Sequence, residues 1–315
     1  MGALLCYPSD KKYTINGRSY TLSGNTLGEG GFSFVYLAKD SNSKKYAIKI
    51  MICQTSEALA VAKKEVEIFK KFDHPNIMKL LDYSVLPSDK VDGAKDVVLV
   101  LPFYKDGSLQ DLLDNQRTIY GKNATQPAVY NQKRTLDIFK QICNAVTQFH
   151  HSDPPLAHRD IKPGNVMVSV APDGVSITPI LLDFGSTRDA RIQVRSRKEA
   201  LSIQDDVDQT TTPSYRAPEL FDISSDCNLD ERVDIWALGC LLYAMAYNKS
   251  PFEIADDEPN GSVALTVLSG LPNQFPNNDY PKPFTDLIRN MVNSNKDERW
   301  NIDQVLEHID NITRS

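Results

Sequence analysis

Between about Tyr20 and Lys49 the apolar positions fall in short runs separated by glycines, among them Phe34-Val35-Tyr36-Leu37 and Tyr46-Ala47-Ile48-Lys49-Ile50. Branched and aromatic side chains pack well on a pleated surface, so these runs read as strands. Gly17-Arg18 and the glycines near position 30 mark the turns. From Ser56 to Phe72 the period becomes helical, and Asp73-His74-Pro75 ends it because proline cannot continue a helix. Residues 77–83 and 97–101 read as two further strands. After Gly107 the pattern is mainly helical. Polar stretches at 87–95 and 115–132 carry no period and read as loops without secondary structure. The chain is thus expected to be α+β, a small β-rich region followed by a larger α-rich one, dividing near residues 102–107. It contains no internal repeat.

The most apolar stretch, residues 235–246, is too short to span a bilayer and opens beside Asp234, so it reads as a buried core helix. Composition changes little in this picture. The 315 residues are 41% hydrophobic and 24% charged, as in ordinary globular proteins, enough for one large domain or two packed lobes. A net charge of −6 and a pI near 5.4 exclude the basic footprint of a nucleic-acid binder. The five cysteines, Cys6, Cys53, Cys143, Cys227 and Cys240, show no C-x-x-C spacing. Neither a zinc site nor a thioredoxin-like motif is indicated, and an odd, scattered set reads as reduced thiols in a cytosolic setting. The sequons at Asn123, Asn248, Asn260 and Asn311 are expected to be unused.

Candidate chemistry begins with Leu27-Gly28-Glu29-Gly30-Gly31-Phe32-Ser33-Phe34-Val35, lying between two expected strands. Glycines let a backbone approach phosphates closely. Taken alone, the cluster reads equally well as a plain hairpin turn. No helix follows directly, which argues against a dinucleotide-binding fingerprint. Lys49 ends the next strand. In the helix after it, Glu67 has Lys63, Lys64, Lys70 and Lys71 three and four positions away, so it belongs to the polar face. Glu65 has Val61, Ala62, Ile68 and Phe69 at the same offsets and faces inward. A carboxylate there needs a cation, and Lys49 is the candidate.

Two further motifs decide the matter, His158-Arg159-Asp160-Ile161-Lys162-Pro163-Gly164-Asn165 and Leu182-Asp183-Phe184-Gly185. Asp160 is placed to accept a hydrogen bond from a substrate hydroxyl. Asn165 and Asp183 offer the hard oxygen donors that Mg²⁺ prefers beside phosphate. Each motif alone is compatible with a turn; both in this order, after the glycine loop and Lys49, make a phosphoryl-transfer set. Thr212-Pro213-Ser214-Tyr215-Arg216-Ala217-Pro218-Glu219 then supplies an A-P-E element. Glu219 is expected to pair with Arg299, and Asp234 to hold the backbone around His158-Arg159.

On these residues the chain, from about Tyr20 to Leu306, resembles the eukaryotic protein kinases. Within them it is similar to the myristoylated and palmitoylated serine/threonine kinases related to the Numb-associated group. The finer likeness lies in Leu27–Val35 with Ser33 at the usual third glycine, in Leu101-Pro102-Phe103-Tyr104-Lys105-Asp106-Gly107-Ser108-Leu109, and in residues 196–205, which look like that group's extra activation-segment helix. The resemblance implies a bilobal α+β kinase fold, with an N-lobe at about 20–103, a C-lobe at about 104–306, an anchor segment at 1–19 and a tail at 307–315.

It further implies ATP in the cleft under Leu27, Gly28, Glu29, Gly30, Gly31, Phe32 and Ser33, with Val35, Ala47 and Met167 around the adenine. Leu101 would be the gatekeeper, and Pro102 and Tyr104 would lie in the hinge. Lys49, oriented by Glu65, would grip the α/β-phosphates, and Asn165 and Asp183 would hold Mg²⁺, with Mn²⁺ as the alternative. Asp160 would align the acceptor hydroxyl, and Lys162 would neutralise charge on the γ-phosphate. Lys162 and the Thr212 loop look like serine/threonine specificity toward protein substrates.

Gly2 is a myristoylation acceptor, although Cys6 replaces the usual Ser/Thr of that motif. One acyl chain binds membranes only marginally, so Cys6 would carry the second. An unmodified start is the plainer alternative. By resemblance the anchored form would work in membrane traffic on the cytoplasmic face of Golgi, trans-Golgi or vacuolar membranes, with a cytosolic pool. Ser202, Thr210, Thr211 and Thr212 are candidate autophosphorylation sites, with Arg159 as the partner of an added phosphate. A pseudokinase scaffold and a small-molecule kinase are the competing readings. The retained Lys49, Asp160 and Asp183 argue against the first, and the A-P-E element against the second.

Overall fold

The computed structural model describes residues 10–30, 33–120, 131–253, 261–276 and 280–314. Gly2, Cys6, Gly31 and Phe32 lie outside the described residues. The chain forms two compact units, divided between Lys105 and Asp106.

The first unit is built on β1 (Lys12–Ile15), β2 (Arg18–Gly30), β3 (Ser33–Lys39), β4 (Lys45–Cys53), β5 (Asp82–Pro87) and β6 (Lys95–Pro102). They form one antiparallel sheet in the order β1-β2-β3-β4-β6-β5. Alternation decides its faces. Phe34, Tyr36 and Ala38 of β3 point into a core with Tyr20, Leu22, Ile48, Ile50, Val98 and Val100. Helix α1 (Ser56–Lys71) packs on β4 and β6, so β6 is buried from Val97 to Leu101 rather than alternating. Each such valine or leucine contributes about 1.5–3 kcal/mol through burial. Thr55 caps α1 by accepting from the Ala58 amide at 3.1 Å.

One expectation for this unit needs correction. Residues 77–81 belong to no strand; β5 starts only at Asp82 and runs to Pro87. Ile77 and Met78 are buried, but beneath a turn after Pro75 in which the Ile77 amide donates to the His74 carbonyl. Their apolarity reports burial outside any strand. The stretch at 87–95 is a loop, as expected: residues 88–94 join β5 to β6, with Ser88 N–H on the Ala94 carbonyl at 3.0 Å. Strand β1 is an addition to the expected elements. Its period is visible, since Tyr13 and Ile15 are buried and Lys12 and Thr14 are not, but four residues are too few to stand out. Asn16 and Gly17, both at positive φ, make the two-residue turn that joins it to β2.

The second unit contains α2 (Leu109–Tyr120), α3 (Gln132–His150), α4 (Arg197–Thr210), α5 (Arg232–Tyr247), α6 (Val263–Ser269), α7 (Lys282–Met291) and α8 (Ile302–Arg314). Three small antiparallel pairs accompany them: β7 (Leu156–Ala157) with β10 (Arg188–Asp189), β8 (Val166–Val170) with β9 (Ile177–Leu181), and β11 (Ile192–Val194) with β12 (Cys227–Leu229). Helix α5 is buried along its whole length from Val233 to Tyr247 and packs on α3 and α7. A Cβ on its Gly239 would stand 2.5 Å from Val292 Cγ2, so glycine is what lets the backbones approach.

The reading of 115–132 as structureless is also corrected, because residues 115–120 continue α2. Its start is secured by Ser108 and Asp111, each side chain accepting from the other's backbone N–H, and Leu109 and Leu113 are buried. A capped first turn with an inward i, i+4 pair carries the polar remainder of the helix. No helix among the described residues is long and apolar enough to cross a membrane.

Candidate active site

In the first unit, β2 and β3 bring Gly28 opposite Val35 and Gly30 opposite Ser33, with irregular register between Leu22 and Gly28. A Cβ on Gly30 would meet Ser33 Oγ at 3.1 Å, so the turn tolerates little bulk there. Lys49 lies on β4 between Val35 of β3 and Leu99 of β6. Its Nζ stands 2.7 Å from Glu65 Oε1, with 12% and 6% of the two side chains exposed. Glu67 is on the solvent face and pairs with Lys70. Ala47 lies opposite Leu101, and both precede the chain through Pro102 and Tyr104. Of the adenine-contacting residues expected from resemblance, Leu27, Val35, Ala47, Leu101, Pro102 and Tyr104 belong to this unit. Met167 belongs to the second, on β8 opposite Ile180.

In the second unit the loop from His158 to Asn165 is held from beneath by Asp234 at the start of α5. Asp234 Oδ2 accepts from the His158 amide at 2.7 Å and Oδ1 from the Arg159 amide at 2.8 Å. His150 Nε2 lies 3.0 Å from Oδ2. Burial alone pushes the Asp234 carboxyl upward. The hydrogen bond and charge of His150, with His158 and the Arg159 amide, outweigh it and hold the group below its ordinary range. Arg159 and Asp183 both sit at positive φ, a conformation that costs a side-chain-bearing residue about 1–3 kcal/mol and persists only where neighbours impose it. His158 links the two, with its ring Nε2 3.1 Å from the Leu182 carbonyl and its ring in an edge-to-face contact with Phe184.

Asp160 is buried, and both its oxygens are engaged. Oδ1 lies 2.7 Å from the Thr212 hydroxyl and 3.1 Å from the Thr212 amide. Oδ2 accepts from Asn165 Nδ2 at 2.8 Å and lies 2.8 Å from Lys162 Nζ. Lys162 also donates to the Thr212 hydroxyl at 2.6 Å. Asn165 Nδ2 reaches the Asp160 carbonyl as well, so its amide oxygen is the end not committed to Asp160.

The activation segment is ordered. Ser196 caps α4 by accepting from the Glu199 amide, while the Glu199 carboxylate accepts from the Arg195 amide just before the cap. Arg216 ties the far end of α4 to Asp208 and Thr211. Of the candidate acceptors, Thr210 and Thr211 have their hydroxyls bonded within the segment and Thr212 has its hydroxyl on Asp160, whereas Ser202 is exposed. Arg159 faces Asp206 at 3.6 Å, so the expected phosphate partner already has a carboxylate beside it. Glu219 and Arg299 form a two-pronged pair at 2.7 and 3.0 Å, with Arg299 wholly buried against Trp236.

Three contacts carry no signal in the sequence: His150 with Asp234, the Thr212 hydroxyl with Asp160 itself, and Asp206 with the arginines. Nothing local to the chain marks them. The partners in the first two lie 84 and 52 positions apart, and Arg159 is almost as far from Asp206. A groove of about 530 Å³ beside β11 and β12, lined by Arg191, Gln193, Asn228, Glu231 and Asn301 among others, contains none of the expected site residues.

The chain that carries this arrangement is similar in sequence to known proteins. The protein kinase domain family matches residues 22–309. A probable serine/threonine-protein kinase of Dictyostelium discoideum is 50% identical, across 99% of this chain and 98% of its own length. Serine/threonine-protein kinase 16 of Rattus norvegicus and of Homo sapiens are each 36% identical, across 86% of this chain and 83% of theirs. Matches of this extent, over a β-rich unit and a helical one, leave a plain conclusion: the chain belongs to the eukaryotic serine/threonine protein kinases, enzymes that use ATP and a divalent metal ion.

Proposed function

We propose that the chain transfers the γ-phosphoryl group of MgATP to serine and threonine hydroxyls of proteins, with Asp160 orienting the acceptor. The observation that carries this is the Thr212 hydroxyl at 2.7 Å from Asp160 Oδ1 and 2.6 Å from Lys162 Nζ. A β-hydroxyl of the substrate's own chemical type is already accommodated between the carboxylate and the ammonium. A carboxylate has about four lone-pair sites, and four donors already meet Asp160, so an incoming substrate hydroxyl would take the place of the Thr212 hydroxyl on Oδ1.

The metal-binding residues fit Mg²⁺. Asn165 and Asp183 offer an amide oxygen and a carboxylate, hard donors without the thiolates or imidazoles that suit softer metals. Among the described residues no group of three or more His, Cys, Asp or Glu side chains could cage a metal. That matches a cation which keeps phosphate and water oxygens in its shell. Bound MgATP supplies the phosphoryl group with much of its charge already neutralised. Lys49, held by Glu65, grips the α/β-phosphates; Lys162 opposes negative charge at the γ-phosphate; Asp160 aligns the hydroxyl and accepts its hydrogen bond. Positioning and electrostatics thus do most of the work, as a loose transition state requires.

The test is transfer of radiolabelled phosphate from ATP with Mg²⁺ to a protein substrate. Asp160→Ala should reduce the rate about 10²–10⁴-fold, the range for a positioned acid–base group. Equal incorporation by both proteins would sink the mechanism and favour a scaffold. Phosphoserine and phosphothreonine should be the only labelled residues.

The reading extends to the amino terminus. Gly2 and Cys6 would be acylated, placing the kinase on the cytoplasmic face of an internal membrane, where it acts in membrane traffic and autophosphorylates. The Met1-Gly2 start, a cysteine within reach, and the need for two lipid signals support this. Intact-mass measurement on protein from its own cell tests it: a mass without acyl additions overturns the anchor, and Gly2→Ala should move the protein to the soluble fraction.

A further inference from the structure

Two guanidinium groups converge in the second unit, and one carboxylate meets both. Arg159, in the loop that carries Asp160, has only 3% of its side chain exposed. Arg188, just beyond Asp183-Phe184-Gly185, donates from NH1 to the carbonyls of Gly185 at 2.8 Å and Thr187 at 2.9 Å. Asp206 of α4 reaches across to both. Its carboxylate accepts from Arg188 Nε at 3.1 Å and from Arg188 NH2, and its Oδ2 lies 3.6 Å from Arg159 NH1.

The charge balance explains why an anion is needed at this place. Burial weakens the hold of Arg159 on its proton, Asp206 opposes that effect, and the nearby Arg188 charge adds to it. Two cations beside each other, one of them buried, are stable only with an anion between them. In many regulated kinases that anion is a phosphate added to the activation segment, which orders it through new arginine contacts. Here the segment brings its own.

We propose that Asp206 is a resident anion that substitutes for activation-segment phosphorylation, positioning both the Asp160 loop through Arg159 and the Asp183-Phe184-Gly185 turn through Arg188. The inference rests on the phosphotransfer reading above. Asp206 touches no reacting atom; it is a positioning residue. Several features make α4 a firm mount for it. The helix is capped at Ser196, tied at its far end through Asp208 to Arg216, and held to the following turn by Gln204, which donates to the Leu220 carbonyl at 3.1 Å. Thr210 sits one turn on and donates to the Asp206 carbonyl, so it is bonded where an incoming phosphate would have to replace existing contacts.

The experiment compares phosphatase-treated wild type with Asp206→Asn, Asp206→Ala and Asp206→Glu in peptide phosphorylation, with thermal melting to confirm folding. Phosphatase-treated wild type should keep its full rate, and Ser202→Ala should match it. Asp206→Asn, which keeps the shape and removes the charge, should lower kcat about a hundredfold, the scale of a small misplacement of catalytic groups. Asp206→Glu should recover most of the rate. Sulfate should restore Asp206→Ala more than chloride at equal ionic strength, because a divalent oxyanion can fill the arginine pair. Wild type should respond equally to both salts. Loss of wild-type activity on dephosphorylation overturns the proposal, and so does an Asp206→Asn rate equal to wild type. Sulfate acting no better than chloride would assign Asp206 a merely structural role and overturn it also. A wild type inactive before and after phosphatase would instead refute the phosphotransfer reading.

Discussion

The two units hold their buried charges by different means. In the first, Lys49 on β4 and Glu65 on α1 meet side chain to side chain, at 2.7 Å, between a strand and a helix. In the second, Asp234 at the base of α5 is gripped by two backbone amides and a buried histidine, and Arg299 by Glu219 and two backbone carbonyls. A pair of flexible side chains can separate when its helix moves, whereas a carboxylate bonded to main-chain amides can be lost only if the loop itself is rebuilt. The first device suits a group that must adjust to a ligand. The second suits a loop whose backbone must be in place beforehand.

The sharpest way to break the comparison is Asp234→Ala. Two buried amides lose their acceptor and His150 loses its partner, so stability should fall by about 3–5 kcal/mol. Denaturant unfolding measures it, and a loss below about 1 kcal/mol would mean the loop holds without Asp234. Lys49→Met should act on the other side of the contrast. Here the rate should drop by about 10²–10³-fold, the scale of removing one preorganised charge-stabilising donor. The melting temperature should change far less than in Asp234→Ala. Equal stability losses in the two variants would erase the distinction.

Acid gives a third, smaller effect. The Asp234 carboxyl is depressed in the folded chain, so its contribution is fully present above the unfolded carboxylate value of about 3.9. It is lost as pH falls through the lower folded value. Stability of the wild type should therefore decline below about pH 4, and Asp234→Asn, whose side chain cannot titrate there, should lack that part of the decline. Parallel acid limbs would remove Asp234 from the account. Last comes Glu67→Ala, one position from the inner face of α1. It should change neither rate nor melting temperature measurably, because its lysine partner is solvated. A phenotype like that of Lys49→Met would show that helix spacing had selected the wrong glutamate.

Elements with strong local patterns are legible in the residues alone. The runs at 34–37 and 46–50 are strands, the period at 56–72 is α1, and the apolar run after Asp234 is the buried α5. Weaker signals mislead. Ile77 and Met78 are buried beside a turn rather than in a strand, and the polar residues 115–120 are helical because Ser108, Asp111 and Leu113 secure the turns before them. A window of a few residues reports burial, but it cannot tell a buried turn from a buried strand.

What the sequence determined by itself was the inventory and its order: a glycine loop, Lys49, Asp160 with Lys162 and Asn165, Asp183, the A-P-E element, and, through helical spacing, Glu65 rather than Glu67. Those are local matters of residue type and period. The tertiary structure decided who meets whom. It put His150 beneath Asp234, the Thr212 hydroxyl on Asp160, and Asp206 between Arg159 and Arg188. The physical reason is burial: a charge taken out of water must find its partner among groups that only the folded chain brings near, however far along the sequence they lie.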